Sequence, residues 1–240
     1  MEPKVVWILG AGFSRSLGGP LLDDLLQPDC LRRLRATFPD PGFPLLQGIL
    51  PELVVWLFHY GRRFSAGRRS ELRWETPGET LWRDAEEFLD FVDLAAASPK
   101  GAAATTLKAI MHQSHGRLPP EPSELRGMAR RLIAAECTAF LRSANLETER
   151  WGPYRRWVTE VVGPSDSIVT FNYDVALEHL CGVSKSMTIL LPGTSKGSRD
   201  GASVLKLHGS VNWRRIPGKG APRYQETDLE SAACCTCQDT

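Results

Sequence analysis

The sequence predicts an α/β protein: a doubly wound, mostly parallel, Rossmann-like sheet with a large helical insertion. Short β-type apolar runs stand near the two ends of the chain: Val5-Val6-Trp7-Ile8-Leu9, Ser167-Ile168-Val169 and Val204-Leu205. Each leads into a glycine-rich or polar segment. These are Gly10-Ala11-Gly12-Phe13-Ser14, Thr170-Phe171-Asn172-Tyr173-Asp174 and Lys206-Leu207-His208-Gly209-Ser210. Between them lies a long stretch whose apolar residues recur at helical spacing. Parallel strands share one carboxyl-terminal rim, where ligands bind in open α/β sheets. The three segments are therefore expected to converge there.

Taken in order, the first strand is followed by a helix predicted from about Ser14 through Leu17, Leu21, Leu22, Leu25 and Leu26, ended by Pro28. Pro39, Pro41 and Pro44 mark a turn-rich passage. Leu45 to Tyr60 reads as one apolar helix. A second starts at Asp84, with Glu87 three residues on in a capping-box pattern. Helices are also predicted over about 102–112, over 123–143, and around Tyr154, Trp157, Val158 and Val161. Strand 167–170, helix 175–180 and strands 187–191 and 203–207 complete the order. One domain is expected over 1–240. Residues 1–27 and 164–215 form the sheet core, 28–163 the helical insertion and 216–240 an irregular tail.

Composition is that of an ordinary globular protein, 42% apolar and 24% charged. A net charge of +1 gives no whole-molecule field for nucleic acid or anionic membrane. The basic cluster Arg62, Arg63, Arg68, Arg69 and Arg73 reads as a solvated loop. No apolar run has the length of a membrane span, and no secretion signal opens the chain. A cytoplasmic location is expected. Cys30, Cys137 and Cys181 are scattered, whereas Cys234, Cys235 and Cys237 crowd the last residues. That is not the framework of a small secreted domain.

Each segment carries a chemical and a plain structural reading. The bare amides of Gly10, Ala11 and Gly12 at a helix start suit phosphate oxygens, with Ser14 bonding the phosphate or capping the helix. Equally, they form a strand-to-helix turn built from small residues. Arg15 stands where the dehydrogenase fingerprint requires a third small residue. Asn172 can hold a ribose hydroxyl or a water, and Asp174 can cap the next helix; alternatively, both are only capping residues. His208 is the histidine best placed on the rim, as a general base or as a half-buried edge residue. His112 and His115 read as surface residues and complete no metal set.

In this order, GAGFSRSLGG, TFNYD and KLHGS resemble the sirtuin superfamily, more closely the sirtuin-like NAD-cleaving domains of bacterial antiphage defence. Asp84-Ala85-Glu86-Glu87-Phe88-Leu89 resembles the acidic helix of that branch. The resemblance covers about residues 4–26, 82–94 and 166–213. It implies an NAD-binding sheet of the DHS-like type and cleavage of NAD to nicotinamide and ADP-ribose, with Asn172 and His208 catalytic. Gly10, Ala11, Gly12 and Ser14 would meet the dinucleotide phosphates, and Asp174 would lie near the nicotinamide end. A homo-oligomer or an activating partner protein is expected from the family.

Two alternatives are a non-catalytic NAD- or ADP-ribose-binding module and an NAD-dependent protein deacylase. Against the deacylase, Leu17-Gly18-Gly19-Pro20-Leu21-Leu22 lacks the Phe-Arg loop of that branch. Only one Cys-x-x-Cys spacing, Cys234 with Cys237, follows His208, so no metal site is assigned. The family pattern continues with a segment that closes over adenosine, and nothing after Lys206 resembles it. The sheet is therefore expected to be incomplete at its C-terminus, as in a truncated chain with impaired activity.

Overall fold

The computed structural model describes residues 4–38, 49–67, 82–115, 120–142, 144–183, 187–191, 201–208, 210–211, 213–216 and 223–226. The chain divides into two compact units, one from Met1–Leu21 with Ala134–Cys235 and one centred on Leu22–Ile133.

The first unit holds a four-stranded, all-parallel sheet of β1 (Val6–Leu9), β2 (Ser167–Thr170), β3 (Met187–Leu190) and β4 (Ala202–Lys206), in the order β1-β2-β4-β3. The register aligns Leu9 with Thr170 and Thr170 with Lys206. Alternation along the strands turns Ile168 and Val204 into the core, where both are fully buried. Val158, Val175, Ala176, Leu177, Leu180 and Met187 share that core. The other face is less covered. Val6 and Ile8 on edge strand β1 are 61% and 72% exposed.

Asp166 fastens β1 to β2. Its Oδ1 accepts the Val5 amide at 3.0 Å, and its Oδ2 accepts the Trp7 indole N–H and the Gly163 amide, each at 3.0 Å. These donors hold the carboxyl below the usual carboxylate range, the Trp7 bond contributing most. Trp7 stacks edge-on against Trp157 at 5.6 Å. Trp157 opens a π-helical turn, Trp157–Val161, that continues α7 (Gly152–Arg156).

The helix after β1 is much shorter than expected. α1 spans only Gly12–Arg15, and a Schellman motif ends it. Gly19 N–H donates to the Ser14 carbonyl at 2.9 Å, Gly18 N–H donates to the Arg15 carbonyl at 3.0 Å, and Gly18 has φ +99°. The leucine periodicity concealed this stop. A short 3-10 turn, Leu22–Asp24, stands where the predicted helix would have continued.

The second unit is built from α2 (Cys30–Thr37), α3 (Leu50–Gly67), α4 (Ala85–Ala97), α5 (Ala102–His115) and the first part of α6 (Pro122–Ala139). α2 falls where the sequence reading saw no helix between Pro28 and the prolines near 40. Asp84 caps α4 as its spacing predicts: its carboxylate accepts the amides of Glu86 and Glu87 at 3.1 and 3.0 Å. Glu87 reaches back to the amide of Arg83, one residue before the cap. Trp82 is fully buried against Phe88, 5.0 Å away, and its indole N–H donates to the Phe58 carbonyl at 2.8 Å.

A separate two-stranded sheet joins the end of the 164–215 span to the predicted irregular tail, apart from the four-stranded sheet. β5 (Trp213–Ile216) and β6 (Arg223–Glu226) pair antiparallel, with Ile216 opposite Arg223. Cys234, Cys235 and Cys237 lie outside the described residues. No helix among the described residues is long and apolar enough to cross a membrane.

Candidate active site at the carboxyl rim of the sheet

The register brings the ends of β1, β2 and β4 side by side, so the segments after Leu9, Thr170 and Lys206 start from neighbouring points on one rim. Phe171 N–H donates to the Leu9 carbonyl at 3.3 Å, and Leu207 N–H to the Thr170 carbonyl at 2.9 Å. These bonds continue the ladder one step beyond the strands on both sides of the central segment.

The glycine turn is open. Gly10 and Gly12 are exposed, neither has a positive φ, and a Cβ added to either meets no heavy atom within 4 Å. Neither backbone strain nor a protein neighbour therefore demands glycine at these positions. What the two glycines provide is unscreened main chain. Gly19 is different: a Cβ there would lie 2.6 Å from Ser14 Oγ and 2.9 Å from the Ser14 carbonyl oxygen. Ala11, between the two open glycines, is half-buried.

Ser14 is not presented to the rim. It is fully buried, and its hydroxyl donates to Asp174 Oδ2 at 2.7 Å. The other carboxylate oxygen of Asp174 accepts the Ala176 amide at 3.0 Å and so caps the entry to α8 (Ala176–Val183). The pair thus ties the helix after β1 to the segment after β2. In this arrangement the expected phosphate contact of Ser14 is replaced by a structural bond, because its single hydroxyl proton is committed to a buried carboxylate. Asp174 likewise spends both oxygens on protein donors.

Asn172 lies between these anchors. It is 8% exposed, and its amide N–H donates to Thr170 Oγ1 at 3.1 Å. Its side-chain Oδ1 is buried and accepts no hydrogen bond from the described residues. Such an acceptor is costly to leave unmet, about 1–3 kcal/mol. His208 is exposed, with its ring 5.3 Å from Phe171 and 5.8 Å from Tyr173. The central segment thus presents Asn172 on the buried side and two rings that flank the histidine.

Sequence reasoning passed over the polar group beneath this rim. Lys206 closes β4, whose other buried positions are Ala202 and Val204, and its side chain is fully buried. Its ammonium lies 2.8 Å from Glu178 Oε1, donates to Ser210 Oγ at 2.8 Å and also bonds the Asp174 carbonyl. A lysine ending a Val-Leu strand, with an acid in the first turn of the helix that follows β2, was the available signal. Cys137, also buried, has its thiol pushed well up by burial, with Asp174 and Glu136 adding to the effect. It is an inert thiol and not a nucleophile. Among the described residues no cluster of three or more His, Cys, Asp or Glu forms a metal site.

No family model and no curated protein matches the chain.

Proposed function

We propose that this rim cleaves NAD to nicotinamide and ADP-ribose, on a sheet of the DHS-like NAD-binding type. The observation that carries the reading is the orphaned, buried carboxamide oxygen of Asn172, set between an unscreened glycine turn and a histidine. A ribose hydroxyl or a bound water is a donor of the right size for that oxygen. The exposed backbone at Gly10 and Gly12, with Ala11 half-buried between them, suits the diphosphate of a dinucleotide. Ser14 and Asp174 serve the same site indirectly, by fixing the turn to the Asn172 segment.

Nicotinamide leaves with the electron pair of the N-glycosidic bond, while positive charge develops on the ribose. Asn172 orients the water whose oxygen bonds to the anomeric carbon, and His208 takes the proton released. Hydrolysis thus needs no redox partner and no metal. The resemblance to antiphage proteins makes NAD depletion during defence the matching cellular role, with activation through self-association or a partner.

The test is nicotinamide release from NAD by the purified 240-residue chain, beside His208→Ala and Asn172→Ala. Removing a positioned general base costs about 100- to 10,000-fold in rate. Release that is equal in wild type and both variants refutes the assignment. Saturable NAD binding without release points instead to a binding module.

A further inference from the structure

The geometry points to Lys206 as the positioning residue that sets His208, acting through a part-buried triangle with Glu178 and Ser210. Lys206 and Ser210 stand two residues before and two after the histidine. The ammonium lies 2.8 Å from Ser210 Oγ and 2.8 Å from Glu178 Oε1, and Ser210 Oγ in turn donates to Glu178 Oε1 at 3.0 Å. The triangle is closed, and every corner is on a different element: β4, α8 and the loop after β4.

Two further contacts tie the same loop to the Asn172 segment. The ammonium bonds the Asp174 carbonyl, and Val211 N–H donates to the Tyr173 carbonyl at 2.9 Å. With Leu207 N–H on the Thr170 carbonyl at 2.9 Å, the chain is held on each side of His208. The imidazole is thereby carried against Phe171 and Tyr173. A buried lysine is retained here although a buried ion pair is weak as a source of stability. Its three donors reach three different partners, which an apolar replacement cannot do.

As a contribution to NAD cleavage this inference rests on the proposed function; as a statement about where His208 sits it does not. The experiment therefore has two arms. In the first, the imidazole Cε1–H resonance of His208 is followed by NMR, assigned by its loss in His208→Gln. Ring currents from Phe171 and Tyr173 displace it in the wild type. Ser210→Ala and Lys206→Met are expected to move it toward the position of a free histidine while near-UV circular dichroism stays native. If Lys206→Met does not fold, Ser210→Ala decides, since it keeps the ion pair. An unmoved resonance in folded Ser210→Ala overturns the proposal.

In the second arm, kcat for nicotinamide release is expected to fall about 10- to 100-fold in Ser210→Ala, with KM changed less than about threefold. A moved resonance with unchanged kcat removes the catalytic half of the assignment. Absence of release from the wild type refutes NAD cleavage, and the resonance alone then decides the placement of His208.

Discussion

Replacing Asp166 by Asn probes the joint between β1 and β2 at the amino-terminal end of the sheet. The carboxylate holds three donors at 3.0 Å: the Val5 amide, the Trp7 indole and the Gly163 amide. Asn keeps the shape but has one carbonyl oxygen and no charge, so at least one donor loses its partner and the others lose charge assistance. At roughly 1 kcal/mol net for each bond lost or weakened, the cost is about 2–3 kcal/mol. The assay is urea unfolding at pH 7 and again at pH 3. The folded-state pKa of Asp166 is depressed. Its contribution is therefore fully present above the unfolded value near 3.9 and is lost as pH falls through the lower folded value. The gap between wild type and Asp166→Asn should be widest at pH 7 and narrow under acid. A gap below about 0.5 kcal/mol at pH 7, or one that does not change with pH, would refute the reasoning.

Two other outcomes follow from the same geometry. Gly19→Ala drives a Cβ to 2.6 Å from Ser14 Oγ. It should destabilise the protein by about 1–3 kcal/mol in thermal unfolding, as overpacking does, whereas Gly12→Ala, with open space around it, should leave stability nearly unchanged. Cys137, buried and with its thiol pushed up, should resist alkylation by iodoacetamide at pH 8 in the native protein. It should react once urea unfolds the chain, and labelling at the native rate of an exposed thiol would contradict its placement.

Much of the fold was legible because its signals are local. The apolar runs ending at Leu9, Thr170 and Lys206 became three adjacent parallel strands, and Asp84 became the N-cap its spacing indicates. Other signals conflicted. The leucines after Ser14 recur at helical spacing, yet Gly18 and Gly19 end α1 after four residues. Periodicity measures which side chains face inward, and a chain that turns can satisfy that as well as a helix can. α2 and the β5–β6 pair were passed over where prolines and weak patterning dominate the local sequence.

By itself, then, the sequence determined that three polar segments follow three short strands, because strand alternation and glycine turns are written within a few residues. Only the tertiary structure decided what each polar side chain does. Ser14 and Asp174 lie 160 positions apart and are spent on each other, while Lys206 spans to Glu178 and Ser210. Asn172 is left with a buried oxygen that nothing among the described residues satisfies. Hydrogen-bond partners at that separation depend on strand order and register, which no local pattern encodes.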